Sequence, residues 1–146
     1  MWVDFEVKTH TLTGMGSCVF VASGLNFDVD SYLRGQPFQV AQVFRKGGLP
    51  PRPDSGFCVK VSSDHEPGLS RQIHDAFQFL LQNEEKIIRM RASGVDNQLL
   101  DFGVPSQEVE QQAHYLAPEL VAALGRFRMG LIFSVVDLRR AALPFN

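Results

Sequence analysis

Short stretches of alternating or continuous hydrophobic residues predict the strands of this protein. Near the N-terminus, Val3, Phe5 and Val7 alternate with charged residues, and this period of two predicts a half-buried first strand at 3–9. The nearly continuous apolar run at 17–23 is typical of a central strand that is covered on both faces. Further strands are predicted at 38–44, 56–63, 100–104 and 130–138.

Apolar residues spaced by three and four positions predict a long helix that begins after Pro67. One face of this helix is apolar, and the opposite face, which includes Gln72, is expected to face water. The inward positions are Leu69, Ile73, Ala76, Phe77, Leu80 and Leu81. Asn83 is expected to begin a second helical piece with acidic residues in its first turn, and Gly94 is expected to end it.

Two shorter helices and one conspicuous loop complete the predicted elements. Residues 27–35 have acidic start signals and a terminal glycine, which predict a helix of about two turns. Residues 118–125 predict another short helix, which begins with proline and ends with glycine. Its inward positions are Leu120, Val121 and Leu124. The stretch GGLPPRP at 47–53 is too rich in glycine and proline for regular structure and predicts a loop.

The predicted elements follow the order ββ-α-ββ-αα-β-α-β, which lacks the strict alternation of a doubly wound α/β fold. This order predicts an α+β fold, with a mainly antiparallel five- or six-stranded sheet and helices packed on one face. The length of 146 residues is usual for one domain, and no internal repeat, low-complexity segment or linker divides the chain. We therefore expect a single α+β domain over residues 1–146.

Composition and charge narrow the classes of partner. Hydrophobic residues make up 45% of the chain and charged residues 21%, as in ordinary globular domains. The net charge is −2, so the field of the whole molecule does not attract nucleic acid. The sequence has no apolar run long enough to span a membrane, and we expect a cytoplasmic protein with no membrane partner.

Both cysteines of the chain, Cys18 and Cys58, lie in apolar strand contexts. They show no CxxC spacing, which fits buried free thiols in a reducing compartment. A metal site built on sulfur would need more ligands than these two residues supply. The sequence therefore predicts no metal and no cofactor.

Two triplets in the chain match signatures of protein kinases. Residues 101–103 read DFG and residues 117–119 read APE, which in a kinase hold magnesium and close the activation segment. The chain lacks the glycine-rich turn, the strand lysine and the HRD loop that kinase chemistry also requires. We therefore interpret Phe102 as a core residue, Asp101 as a residue on the polar face of a strand, and the APE triplet as the start of a helix.

Asp64, His65 and Glu66 form the densest group of titratable side chains in the sequence, in a loop between a predicted strand and a predicted helix. A histidine beside carboxylates can act as a general base in a ligand-binding cleft, and Arg45 is a candidate to face this group. The alternative is structural, because an acidic residue just before a helix stabilises its N-terminus. Neighbours in sequence rarely converge on one metal ion, so no metal site is predicted here.

The final predicted strand is the best candidate for a contact surface with another protein. Its apolar residues are bracketed by arginines, a combination that suits the centre and rim of an interface. The residues assigned to this surface are Arg126, Arg128, Leu131, Phe133 and Val135. The alternative is that the arginines form only a solvated margin of the strand. No Tyr or Trp platform accompanies them, so nucleic-acid binding is not predicted.

Several short patterns also occur in an order that resembles a known family. In chain order they are SG at 23–24, FDVDSYL at 27–33, VFRKGG at 43–48, SGFCVKVSS at 55–63, FQFLLQN at 77–83, LLDFGVP at 99–105, APELVAALG at 117–125 and GLIFSV at 130–135. Over about residues 17–138 the chain resembles a family of small single-domain bacterial proteins classed as a domain of unknown function. This resemblance implies a small α+β domain in bacterial cytoplasm, with no established activity, cofactor or catalytic residue.

No group of residues forms a coherent catalytic set, so we expect a non-enzymatic protein-interaction domain. It would act as a homodimer or bind another chain, and an immunity-like role is an analogy with other small bacterial α+β proteins. The alternative is a small-ligand-binding protein or small enzyme with a cleft near Asp64, His65 and Glu66. A concave, largely apolar cavity of roughly 300–1,000 Å³ beside those residues would favour this alternative.

Overall fold

Five strands and four α-helices follow one another in the computed structural model, which describes residues 17–35, 38–49, 51–62, 68–107 and 110–136. The strands are β1 (Cys18–Gly24), β2 (Gln42–Phe44), β3 (Ser55–Lys60), β4 (Asn97–Pro105) and β5 (Gly130–Val136). The helices are α1 (Val29–Gly35), α2 (Leu69–Gln82), α3 (Glu84–Met90) and α4 (Pro118–Arg126), and a 3₁₀ helix (Arg91–Ser93) follows α3. The predicted strand at 3–9 lies outside the described residues. None of the described helices is long and apolar enough to cross a membrane.

The strands form one sheet in the order β2-β3-β1-β4-β5. Neighbouring strands are antiparallel except for β4 and β5, which run parallel. The parallel pair arises because α4 lies between these two strands and carries the chain back along the sheet, as a parallel connection requires. The mainly antiparallel five-stranded sheet with its helices confirms the predicted α+β class.

The main core lies between one face of the sheet and the four helices. Side chains from β1, β3 and β4 pack there against at least one buried residue from every helix. Its largest fully buried members include Phe20, Phe57, Leu80, Ile87 and Phe102. Burying a side chain of this size stabilises the fold by roughly 1.5–3 kcal/mol. The helices of the described chain therefore pack on one face of the sheet, as predicted.

The opposite face of the sheet is also buried. Its apolar cluster consists of Val19, Val21, Cys58 and Leu99, with Phe44 and Ile132 packed against it. Residues of β1 alternate between the two clusters, since Phe20 and Ala22 belong to the main core. All seven residues of β1 are buried. This confirms the prediction of a central strand covered on both faces.

The helices expose or bury some residues against the predicted pattern. Gln72 was expected to face water but is fully buried, because its Nε2 donates a 2.8 Å hydrogen bond to the carbonyl oxygen of Gly103 in β4. The buried stripe of α2 runs through Gln72, Ala76 and Leu80, and this turns Leu81 outward to 48% exposure. Val121, which was predicted to face inward, is likewise 51% exposed, whereas Leu120 and Leu124 of α4 are buried as predicted.

Candidate functional site

β5 carries the predicted contact surface and lies at one edge of the described sheet. Within the described residues it pairs only with β4. Leu131 packs against the main core, so the alternation along the strand places Phe133 and Val135 on the same face. Exposure rises along this row to 38% at Phe133 and 64% at Val135. The second half of the edge strand therefore presents apolar side chains to solvent.

Phe133 connects this exposed row to an irregular segment before α4. Its ring centroid lies 5.9 Å from that of the buried Phe102, and 6.4 Å from the imidazole of His114, which stacks on it at 22°. The next residue, Tyr115, is 78% exposed. The exposed row of β5 is thus in contact with this segment through His114.

The two arginines of the predicted surface have different roles at the end of α4. Arg126 forms an ion pair with Glu84 at the start of α3, and its guanidinium lies 5.3 Å from the centroid of the Phe127 ring. Arg128 is exposed, and its carbonyl oxygen accepts a 2.9 Å hydrogen bond from Arg91. Arg126 therefore helps to hold α4 against α3, whereas Arg128 presents its side chain to solvent before β5 begins.

Arg128 has a backbone conformation that usually favours glycine. Its φ is 52°, and it is the single described non-glycine residue with a positive φ. The N–H of Met129 donates a 2.9 Å hydrogen bond to the carbonyl of Leu124, which closes α4 in the manner of a Schellman motif. A side chain in this conformation costs roughly 1–2 kcal/mol relative to the right-handed region. An exposed arginine thus occupies a position where glycine would be more stable.

Arg45 lies at the other edge of the sheet, directly after β2. Its Nε and Nη2 donate hydrogen bonds of 3.0 and 2.7 Å to the two carboxylate oxygens of Asp30 in α1. These hydrogen bonds hold the pKa of Asp30 below its ordinary value. Asp64, His65 and Glu66 lie outside the described residues, so the cleft that would join them to Arg45 stays a prediction.

A cavity of about 440 Å³ lies between the first turns of α2, the end of β4 and residues 113–115. Leu69 and Ile73 of α2 and Val104 and Pro105 of β4 form its apolar walls. Its polar side chains are Ser70, Gln107, His114 and the exposed Tyr115. This volume falls within the range of small-ligand sites.

His114 is oriented in this cavity by Gln112. The Oε1 of Gln112 accepts a 3.2 Å hydrogen bond from the backbone N–H of Gln107, and its Nε2 donates one of 2.9 Å to the carbonyl oxygen of Pro105. These two bonds identify the amide nitrogen, which lies 2.9 Å from the Nε2 of His114. That ring nitrogen must therefore accept, and the neutral imidazole carries its proton on Nδ1.

Sequence reasoning did not identify this cavity. Its walls come from three separate segments that approach one another only in the folded chain. His114 and Gln112 lie two residues apart in an irregular segment, and neither belongs to a helical or strand-like pattern. The interface residues, in contrast, could be named because they follow one another in a single apolar strand.

Asp101 and the two cysteines are buried within the sheet. The carboxylate of Asp101 is 1% exposed and accepts a 2.7 Å hydrogen bond from the hydroxyl of Ser134 in β5. The interpretation of Asp101 as a residue on a polar face was wrong, because both faces of β4 are covered at this position. Cys18 and Cys58 are free and buried, as predicted, and belong to clusters on opposite faces of the sheet.

The thiol of Cys58 makes the stability of the fold sensitive to alkaline pH. Burial raises the pKa of this thiol to about 11, from an ordinary value of 9.0. The unfolded chain therefore loses this proton first, and stability should fall as the pH rises through the window from 9 to 11. Urea unfolding measures the free energy of unfolding at pH 8 and at pH 10. We expect this free energy to fall by about 1 kcal/mol less in Cys58→Ala than in the parent protein. Equal losses in both proteins would contradict the assigned burial.

Neither metal-ligand groups nor comparisons with known proteins assign a function to these candidate sites. Among the residues that the structure describes, no three His, Cys, Asp or Glu side chains form a group that could hold a metal ion. Comparisons with protein families, with curated proteins and with solved structures find no match for this chain. The resemblance to a bacterial family over residues 17–138 therefore stays a prediction.

Proposed function

We propose that this chain is a non-enzymatic protein-interaction domain that binds its partner through the exposed row of β5. The observation that supports this most strongly is the composition of β5, which is an edge strand of the sheet as far as the structure describes it. Its sequence, GLIFSVV, contains no charged residue and no proline, and two of its large apolar side chains are exposed. Natural edge strands usually carry charges, prolines or bulges that prevent pairing with other chains. A strand without them is suited to contact another protein.

Arg128 adds a second line of support. A positively charged side chain in the left-handed region costs stability, and such strain often marks residues that are retained for function. Arg128 precedes the apolar row by a few residues, so an exposed positive charge lies close in sequence to the exposed apolar side chains of β5. This suits a partner surface that is apolar with an acidic margin. The partner is a second copy of the chain or a different protein, and the proposed setting is bacterial cytoplasm.

Val135→Lys is expected to weaken the association at least tenfold, because it places a charge in the centre of the proposed surface. Multi-angle light scattering over a range of concentrations measures self-association, and affinity purification from source-cell extract measures binding to another protein. Val121→Lys is the matched control, since Val121 has similar exposure but lies on α4. A strictly monomeric protein that recovers no partner would contradict the proposed function.

A small-ligand-binding protein is the second candidate function, and the cavity of about 440 Å³ is the observation in its favour. The cavity includes Gly68, which follows Glu66 by two positions in the sequence. Its walls are largely apolar, with a few polar groups, which is the usual composition of a ligand site. An enzymatic role has no comparable support from the described residues.

A further inference from the structure

We propose that the cavity beside α2 binds a small, neutral and largely apolar molecule that carries a hydrogen-bond-accepting oxygen, such as a carbonyl group. This inference rests on the second candidate function and names the chemistry of its ligand. It depends on the walls of the cavity, on the charge of its lining and on the direction in which its polar groups donate hydrogen bonds.

The walls favour an apolar ligand. Leu69, Ile73, Val104 and Pro105 offer aliphatic surface on two sides of the cavity. Removing such surface from water contributes roughly 25 cal/mol for each Å² covered. The ring of Tyr115, which is 78% exposed, offers an aromatic surface at the opening. A ligand that covers this ring would remove further apolar surface from water.

The described lining favours a neutral ligand. It consists of uncharged side chains together with His114, whose Nε2 lies 2.9 Å from the amide nitrogen of Gln112. A charged group that entered between such walls would lose its hydration without gaining an opposite charge. A neutral carbonyl group loses much less hydration free energy on entry.

Four side chains of the described lining carry hydrogen-bond donors, namely Ser70, Gln107, His114 and Tyr115. The tautomer that Gln112 imposes leaves the Nδ1–H of His114 as a donor, and no partner for it occurs among the described residues. The hydroxyl of Ser70, in the first turn of α2, is a second potential donor at the same cavity. An oxygen acceptor on the ligand would satisfy either group.

Phenylacetamide and phenylacetate test this inference, because the two probes have the same size and differ in charge. The experiment is a titration of the full ¹⁵N-labelled chain, followed by two-dimensional NMR at neutral pH. We expect phenylacetamide to shift the amide signals of residues 68–73, 104–107 and 113–115, with a Kd of roughly 1 mM for a ligand of about ten heavy atoms. Phenylacetate should bind at least tenfold more weakly.

Two variants test the proposed hydrogen bonds from His114 and Ser70 to the ligand. His114→Phe keeps a ring that can stack on Phe133 but removes the Nδ1–H, and Ser70→Ala removes the hydroxyl from an exposed helix position. We expect each variant to weaken the binding of phenylacetamide by about fivefold. His74→Phe is the matched control, because His74 is exposed on the same helix and lies outside the cavity lining. It should leave the Kd unchanged.

The possible outcomes separate this inference from the function on which it rests. Binding of both probes with equal affinity, or binding that neither variant weakens, would overturn the proposed ligand chemistry while leaving a ligand-binding cavity. The absence of shifts at these residues with either probe up to 20 times the expected Kd would overturn both. Selective binding of phenylacetamide that both variants weaken is the result that supports the inference.

Discussion

Replacing Phe102 with alanine is expected to lower the free energy of unfolding by about 3–5 kcal/mol. Phe102 is fully buried in the main core, in the strand that lies between β1 and β5. Alanine would leave a cavity that the closely packed surroundings fill only in part, so the loss exceeds the transfer free energy of the ring. Urea unfolding followed by circular dichroism measures the change. The result bears directly on the DFG triplet, in which Phe102 is interpreted as a core residue.

Phe133→Ala is the matched control for this prediction. Phe133 is paired with Phe102 across the two strands and its ring is a direct neighbour, but its side chain is 38% exposed. Its replacement should cost about 1–2 kcal/mol, because less of its surface is removed from water on folding. Losses of equal size in the two variants would contradict the assignment of Phe102 to the centre of the core.

The fold class was predictable because the hydrophobic pattern of most elements is strong. The continuous apolar run of β1 and the three-and-four spacing in α2 each identify an element and its type. The alternation in β4 placed Phe102 inward, and Phe102 is buried. Strand order was not predictable, since the parallel pairing of β4 and β5 depends on how α4 packs.

Buried polar residues mark the limit of pattern-based prediction in this chain. Gln72 and Gln98 are both buried, and each donates a hydrogen bond from its Nε2 to a backbone carbonyl in another element. Asp101 similarly has Ser134 of the neighbouring strand as a partner. A polar residue can be buried when a distant backbone or side-chain group forms a hydrogen bond with it. The sequence around each residue does not reveal that distant group.

The two candidate sites also differ in how far the sequence predicts them. The surface on β5 could be proposed because Leu131, Phe133 and Val135 belong to one strand and share a face by simple alternation. The cavity could not, since Ser70 and His114 are 44 positions apart and become neighbours only through the packing of α2 against β4. Local periodicity predicts which face of an element is apolar. It does not predict the concave space that forms where several elements meet.

Gly56→Ala is expected to lower the free energy of unfolding by about 3 kcal/mol, at the upper end for overpacking. Gly56 in β3 pairs with Ser23 of β1 and with Phe44 of β2, so it lies between two neighbouring strands. An added Cβ would lie 2.5 Å from Cζ of Phe44 and 2.8 Å from Cβ of Ser23, and would also collide with the carbonyl oxygen of Ala22. A backbone oxygen held in the sheet cannot move aside as a flexible side chain can. The strand pairing itself must therefore shift.

Gly125→Ala, at a second glycine, is expected to raise the free energy of unfolding. Gly125 lies inside α4, and an added Cβ there meets no atom within 4 Å. Alanine has the higher helix propensity, so this variant should be more stable by about 0.5–1 kcal/mol. Urea unfolding of both variants measures the two changes on one scale. A Gly56→Ala variant as stable as the parent protein would contradict the close packing of β1 and β2 against β3 at this residue. The large loss expected at Gly56 thus tests the sheet register, whereas the gain expected at Gly125 tests only helix propensity.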